Sequence, residues 1–97
     1  MTIAEIIELV KDVTGVQVDE LGRRVQTYPT YARYVAMMLM IEEGYDLSAI
    51  AASLNMHRSS PCKALPVIDD KLQSDQLIKK IYMACGERMA DLEEQAI

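Results

Sequence analysis

The stretch from Asp46 to Leu72 constrains the fold most, because its apolar residues repeat at helical spacing on both sides of one turn residue. Asp46 can accept from the free N–H groups of a short helix that carries Leu47, Ile50, Ala51 and Leu54 on one face. Asn55 supplies the turn, since asparagine tolerates the left-handed backbone that a sharp corner between helices demands. A second helix opens near Ser59, with Ser59 or Ser60 as its N-cap. Pro61 fits the first turn, where the missing N–H of proline costs nothing. Helix, corner and helix in this order are the grammar of a helix-turn-helix.

In that reading His57, Arg58, Ser59 and Ser60 stand at the start of the second helix, the part of a recognition helix that faces base edges and phosphates in the major groove of DNA. The same shape also serves as a plain packing unit, and Ser-Ser-Pro is an ordinary helix start. Pro66, five residues after Pro61, falls where the helix would still be running. An interior proline removes a hydrogen bond and costs roughly 3 kcal/mol in a regular helix. The chain then either kinks within a helix from Ser60 to Leu72, or ends a short recognition turn near Leu65 and starts a new helix at Pro66.

The remainder is helical with short connections. Ile3, Ile6, Ile7, Val10 and Val13 place one apolar face on a helix over residues 3–14, with Thr2 as cap and Gly15 as stop. Val16, Val18 and Leu21 are interleaved with polar residues, but so short a run with no partner strand forms a packed connection or one helical turn. Residues 22–28 are a polar loop. Pro29 opens a long helix through Glu43, closed by Gly44, with Ala32, Val35, Ala36, Leu39 and Met40 on its buried face. The spacing predicts a last helix over Asp75 to Glu94, capped by Ser74 or Asp75, with Leu77, Ile78, Ile81, Tyr82, Cys85, Met89 and Leu92 on its apolar side. Tyr28, Tyr31 and Tyr34 recur every three residues, a spacing at which tyrosines cover a core edge. The fold expected is all-α: one domain over residues 1–97, a small bundle of five to six helices containing a helix-turn-helix.

Composition narrows the function classes. Half the residues are apolar, but Phe and Trp are absent and seven Met help fill the interior, so the core is aliphatic and adaptable. No uncharged apolar run of about 18 residues occurs, and no basic segment followed by an apolar one opens the chain. A soluble, cytoplasmic protein with no membrane partner is expected. Cys62 and Cys85 lie far apart without C-x-x-C spacing, and a single His offers no zinc ligand set, so both cysteines read as buried reduced thiols and no metal or cofactor is expected. One histidine and no convergent nucleophile, base or metal set also make an enzyme the weakest class.

The net charge of −5 opposes a nucleic-acid role, because neutralising phosphates takes Lys and Arg. Its distribution is uneven. Residues 1–21 carry −4 and residues 64–97 carry −3, whereas residues 22–63 carry +2, with Arg23, Arg24, Arg33, Arg58 and Lys63 against Glu42, Glu43 and Asp46. The bases thus gather in and just before the helix-turn-helix, and the acidic ends read as solvated helix faces.

The order of these elements resembles the C-terminal duplex-binding domain of the bacterial chromosomal replication initiator DnaA, a Trp-repressor-like helical fold. The resemblance runs from about residue 3 to residue 92. It begins in IIELVKDVTGVQVDEL, continues through the basic loop GRRVQTYPTYAR and the Met- and Ala-rich helix YVAMMLMIEE, and ends in LSAIAASLNMHRSSPCKAL. The last segment falls where the family has a glycine pair followed by Arg-Asp-His-Thr-Thr. What the resemblance implies is a double-stranded DNA-binding module, sequence-specific, acting in replication or transcription control. It implies Arg23 or Arg24 for the family's minor-groove arginine and Arg33 for its helix-start arginine on the DNA backbone. His57, Arg58, Ser59 and Ser60 fall on the family's Asp-His-Thr-Thr. Lys63 completes the expected DNA-binding set, and a replication or regulatory protein is a further expected partner.

This sequence departs from the family at three points: the glycine pair is missing, the acid that accepts from a cytosine amino group is replaced, and Pro66 interrupts the recognition helix. Arg58 instead offers a bidentate contact to guanine. No G-x-x-x-x-G-K-[ST] occurs, so the chain is not by itself an ATP-driven initiator. The acidic total and the altered turn leave a second class open, a protein-interaction domain that keeps the fold without binding DNA.

Overall fold

Helix boundaries follow local chemistry. In the computed structural model, which describes residues 1–20 and 26–95, the first helix, α1 (Ile3–Thr14), starts with a reciprocal capping box. Thr2 Oγ1 accepts from the Glu5 N–H at 3.1 Å and the Glu5 carboxylate accepts from the Thr2 N–H at 2.9 Å. Gly15 ends it in the left-handed region at φ +72°, with its N–H donating to the Lys11 carbonyl at 2.8 Å. The connection that follows is packed rather than helical: Val18 is fully buried and residues 18–20 turn.

Next come α2 (Thr27–Glu42), α3 (Leu47–Ser53), α4 (Ser60–Ser74) and α5 (Gln76–Gln95). Helix α2 begins two residues before the predicted start, because Pro29 sits in the first turn, where no N–H has an intrahelical partner. It buries Tyr31, Ala32, Val35, Ala36, Met37, Leu39 and Met40, which occupy most of its circumference, as expected of a central helix. Helices α1, α2 and α5 pack on one another, while α3 and α4 close the remaining side, α4 against both α2 and α5. Ile6, Val10, Met37, Ile50, Leu54, Ile68 and Ile78 are all fully buried, joining the five helices in one core. The radius of gyration, 12.5 Å, is that of a compact chain of this length. The fold is an all-helical bundle of five helices, with no strand among the described residues.

Several expectations are corrected. Helix α4 runs unbroken through Pro66, so the version with a break near Leu65 does not occur. Pro66 and Cys62, the residue whose carbonyl loses its i+4 donor, are both exposed, so the proline interrupts the ladder on the side of α4 away from the core. The core face of α4 is instead Pro61, Ala64, Ile68 and Leu72. Cys62 is exposed, whereas Cys85 is the buried thiol of the pair. On α5, Ile78, Ile81 and Cys85 are buried, but Leu77 and Leu92 remain exposed.

Candidate nucleic-acid interface

The corner between α3 and α4 is built from the backbone outward. The Asp46 carboxylate accepts from the Ala49 N–H at 2.8 Å and starts α3. The exit from α3 is a Schellman motif: the Met56 N–H donates to the Ala51 carbonyl at 2.9 Å and the Asn55 N–H to the Ala52 carbonyl at 3.4 Å. Asn55 takes the left-handed conformation at φ +55°, the position that glycine fills at the end of α2, where Gly44 has φ +91°. Its side chain does a second task. Asn55 Nδ2 donates to the Asp19 carbonyl at 2.7 Å, tying the corner to the connection after α1.

Beyond Asn55 the chain presents its polar residues. His57 Nδ1 accepts from the Ser59 N–H at 3.2 Å and lies 2.8 Å from Ser59 Oγ. Ser59 occupies the N-cap position of α4, as one of the two residues expected there, but its side chain pairs with His57 and makes no capping bond. The Ser60 N–H donates to the His57 carbonyl at 2.9 Å, and the Lys63 N–H to the Ser59 carbonyl at 3.2 Å, so the turn feeds directly into the helix. His57, Arg58 and Lys63 are exposed, and Ser59 and Ser60 are half-buried. The structure therefore brings these five together at one helix end, where the unsatisfied N–H groups add partial positive charge.

A signal in the sequence sharpens this region. None of the fifteen acids lies between Asp46 and Asp69, so Arg58 and Lys63 stand on a segment with no carboxylate of its own. The acids return at Asp69 and Asp70, both exposed on α4. Along α4, Lys63 thus lies in the first turn, and Asp69 and Asp70, followed by Lys71, lie toward its C-terminal end.

The other expected residues lie elsewhere. Arg33 is on α2 and half-buried, and burial lowers its pKa from the usual arginine value. Arg23 and Arg24 lie outside the described residues. Tyr31 and Tyr34 stack with ring centroids 6.4 Å apart, Tyr31 being buried, while Tyr28 is exposed. Sequence reasoning missed the hydroxyl of Tyr31, which donates to Asp75 at 2.6 Å across 44 residues. Burial pushes the Cys85 thiol up to about 11, and the bond from the Tyr82 hydroxyl to Glu42 pushes that phenol up to about 12. Neither group is near the α4 tip in sequence, and both belong to the packing of α5.

Compared with known proteins, the chain matches no described family, no curated protein and no solved structure. Among the described residues, no group of three or more His, Cys, Asp and Glu is placed to hold a metal ion, and no helix is long and apolar enough to cross a membrane.

Proposed function

We propose that this chain is a double-stranded DNA-binding module that reads its site with the first turns of α4, acting in replication or transcription control. The observation that carries the reading is the acid-free cluster of exposed His57, Arg58 and Lys63 with half-buried Ser59 and Ser60, at the start of a helix set by a hydrogen-bonded corner. Arg58 is assigned a bidentate pairing with guanine O6 and N7, in place of the cytosine that the family's acid recognises. Ser59, Ser60 and His57 supply short-range polar contacts, and Lys63 a phosphate contact. Arg33, together with Arg23 or Arg24, is assigned to the DNA backbone and the adjacent minor groove. The likeness to the replication-initiator domain supports this division of roles.

Retention of the chain on random duplex pools, measured across a salt series, tests the reading. Binding at low salt that falls steeply as salt rises is expected. Arg58→Ala should then cost about 1–3 kcal/mol of affinity and relax preference at one base pair. Lys63→Ala should weaken all sequences alike and reduce the salt slope by about one. Absence of retention even at low salt would sink the proposal and select the second reading, an interaction domain without DNA, which the net charge of −5 favours.

A further inference from the structure

Helix α5 carries more apolar surface than the bundle covers. Its 20 residues extend about 30 Å against about 18 Å for the 12 residues of α1, and Leu92 near its end stays 38 % exposed. Between this part of α5 and the outer face of α1 lies a groove of about 330 Å³. Leu9 and Ala4 line it from α1 and Leu92 from α5, while Glu5, Glu8 and Asp12 bring three carboxylates against two cations among the described residues of its lining, Arg88 and the ammonium of Met1, which is paired with Glu43 at 3.4 Å. The three acids follow i, i+3, i+7 spacing and so form one stripe along α1. Glu5 is held ionised by the N–H bond it accepts from Thr2, which lowers its pKa. Lys11, the base on α1, is engaged with Asp19 at 3.1 Å and reaches Glu8 only at 3.7 Å.

We propose that this groove docks a basic amphipathic helix of a partner protein. Its volume is at the small end of ligand sites and suits one or two anchoring side chains better than a cofactor. Its shape, a cleft between two helices with an apolar floor, is that of helix-in-groove recognition. Its charge selects the partner: Lys or Arg one turn to either side of a Leu-type anchor would meet Glu5, Glu8 and Asp12, whereas nucleic acid, an acidic peptide or an anionic membrane would be repelled. The groove shares no residue with the start of α4, so it stands whether or not that helix reads DNA.

The probe is a fluorescein-labelled helical peptide of Leu and Lys, with Leu at i, i+3, i+4 and i+7, followed by anisotropy and by amide shift mapping on the full chain. A peptide of the same composition with Leu and Lys alternating, and a Leu/Glu helix, are the controls. Saturable binding of the Leu/Lys helix alone is expected, with shifts concentrated at residues 4–12 and 88–92. The double variant Glu8→Lys, Asp12→Lys should weaken it by about tenfold or more, with Leu92→Ser also weakening it and Arg58→Ala leaving it unchanged. If charge reversal lowers the thermal midpoint, Glu8→Gln with Asp12→Asn should still weaken binding about threefold or more. Unaltered affinity in both double variants, equal binding of either control, shifts centred elsewhere, or no binding up to about 1 mM would each overturn the proposal.

Discussion

At its C-terminal end α4 is fixed by a joint of one residue, Asp75, whereas at its N-terminal end it emerges from a corner, residues 54–59, in which Asn55, His57 and Arg58 face water. Asp75 ties three helices together, and its carbonyl also accepts from the Lys79 N–H at 3.3 Å. Its N–H donates to the Lys71 carbonyl at 2.8 Å and closes α4, its Oδ1 accepts from the Leu77 N–H at 2.9 Å and starts α5, and its Oδ2 accepts from Tyr31 on α2. Lys71 adds a cation 6.0 Å from the Tyr31 ring centre. At the other end the backbone is equally ordered, through the Schellman motif and the Asn55 bond to Asp19, but Arg58 and Lys63 project outward. One end uses its polar groups to hold the bundle together. The other holds its backbone and leaves Arg58 and Lys63 exposed, as the proposed role of α4 requires.

Ile68→Ala should disturb both ends at once and have the largest effect. Ile68 is fully buried in the middle of α4, and truncating a buried isoleucine removes transfer energy and leaves a cavity, together about 2–5 kcal/mol. Chemical denaturation should show this loss as a lowered midpoint with an unchanged slope. A loss below about 1 kcal/mol would mean that α4 is held by its ends alone.

Asn55 separates the two ends more finely. Asn55→Val puts a β-branched residue at φ +55° and removes the bond to Asp19, so a destabilisation of about 1–2 kcal/mol is expected together with weaker duplex binding. Asn55→Gly keeps the left-handed backbone and removes only the side-chain bond, so it should cost less and preserve duplex binding. Equal effects from the two variants would show that the corner is positioned by the Asp19 contact and not by its backbone conformation.

Much of this frame is legible in local chemistry. Thr2 with Glu5, Gly15, Gly44, Asp46 and Asn55 each act on groups within a few residues, and such caps and corners are visible in the chain itself. The failures share a different character. Residue type points to a buried Cys62 and an apolar stripe to buried Leu77 and Leu92, but exposure depends on how the helices pack, which neither type nor periodicity contains. The cost of Pro66 depends on whether the freed carbonyl faces water, and that too is a property of the packed helix. Within the candidate interface, the exposure of Arg58 and Lys63 follows from their place at a helix start, but the pairing of His57 with Ser59 depends on the dihedral angles of the turn. The Tyr31 to Asp75 bond and the groove between α1 and α5 join residues far apart in sequence, and no spacing rule connects them.

The smallest effect belongs to the fixed end, and pH resolves it. The bond from Tyr31 holds the Asp75 carboxyl below its usual value, and the same bond raises the Tyr31 phenol. For Asp75, whose folded pKa is depressed, the contribution to stability is complete above its ordinary value of 3.8 and is lost as pH falls through the lower folded value. For Tyr31, whose folded pKa is raised, the contribution is complete below its ordinary value of 10.0 and is lost as pH rises through the higher folded one. Tyr31→Phe deletes the bond and keeps the ring. Its thermal midpoint should therefore fall below that of the parent chain by a few degrees between about pH 5 and 9, and the two should converge in acid and in alkali. A difference that stays constant across the whole range would place the effect in ring packing, and the contrast between a bonded and a presented end of α4 would then rest on the Lys71, Leu77 and Lys79 contacts of Asp75 alone.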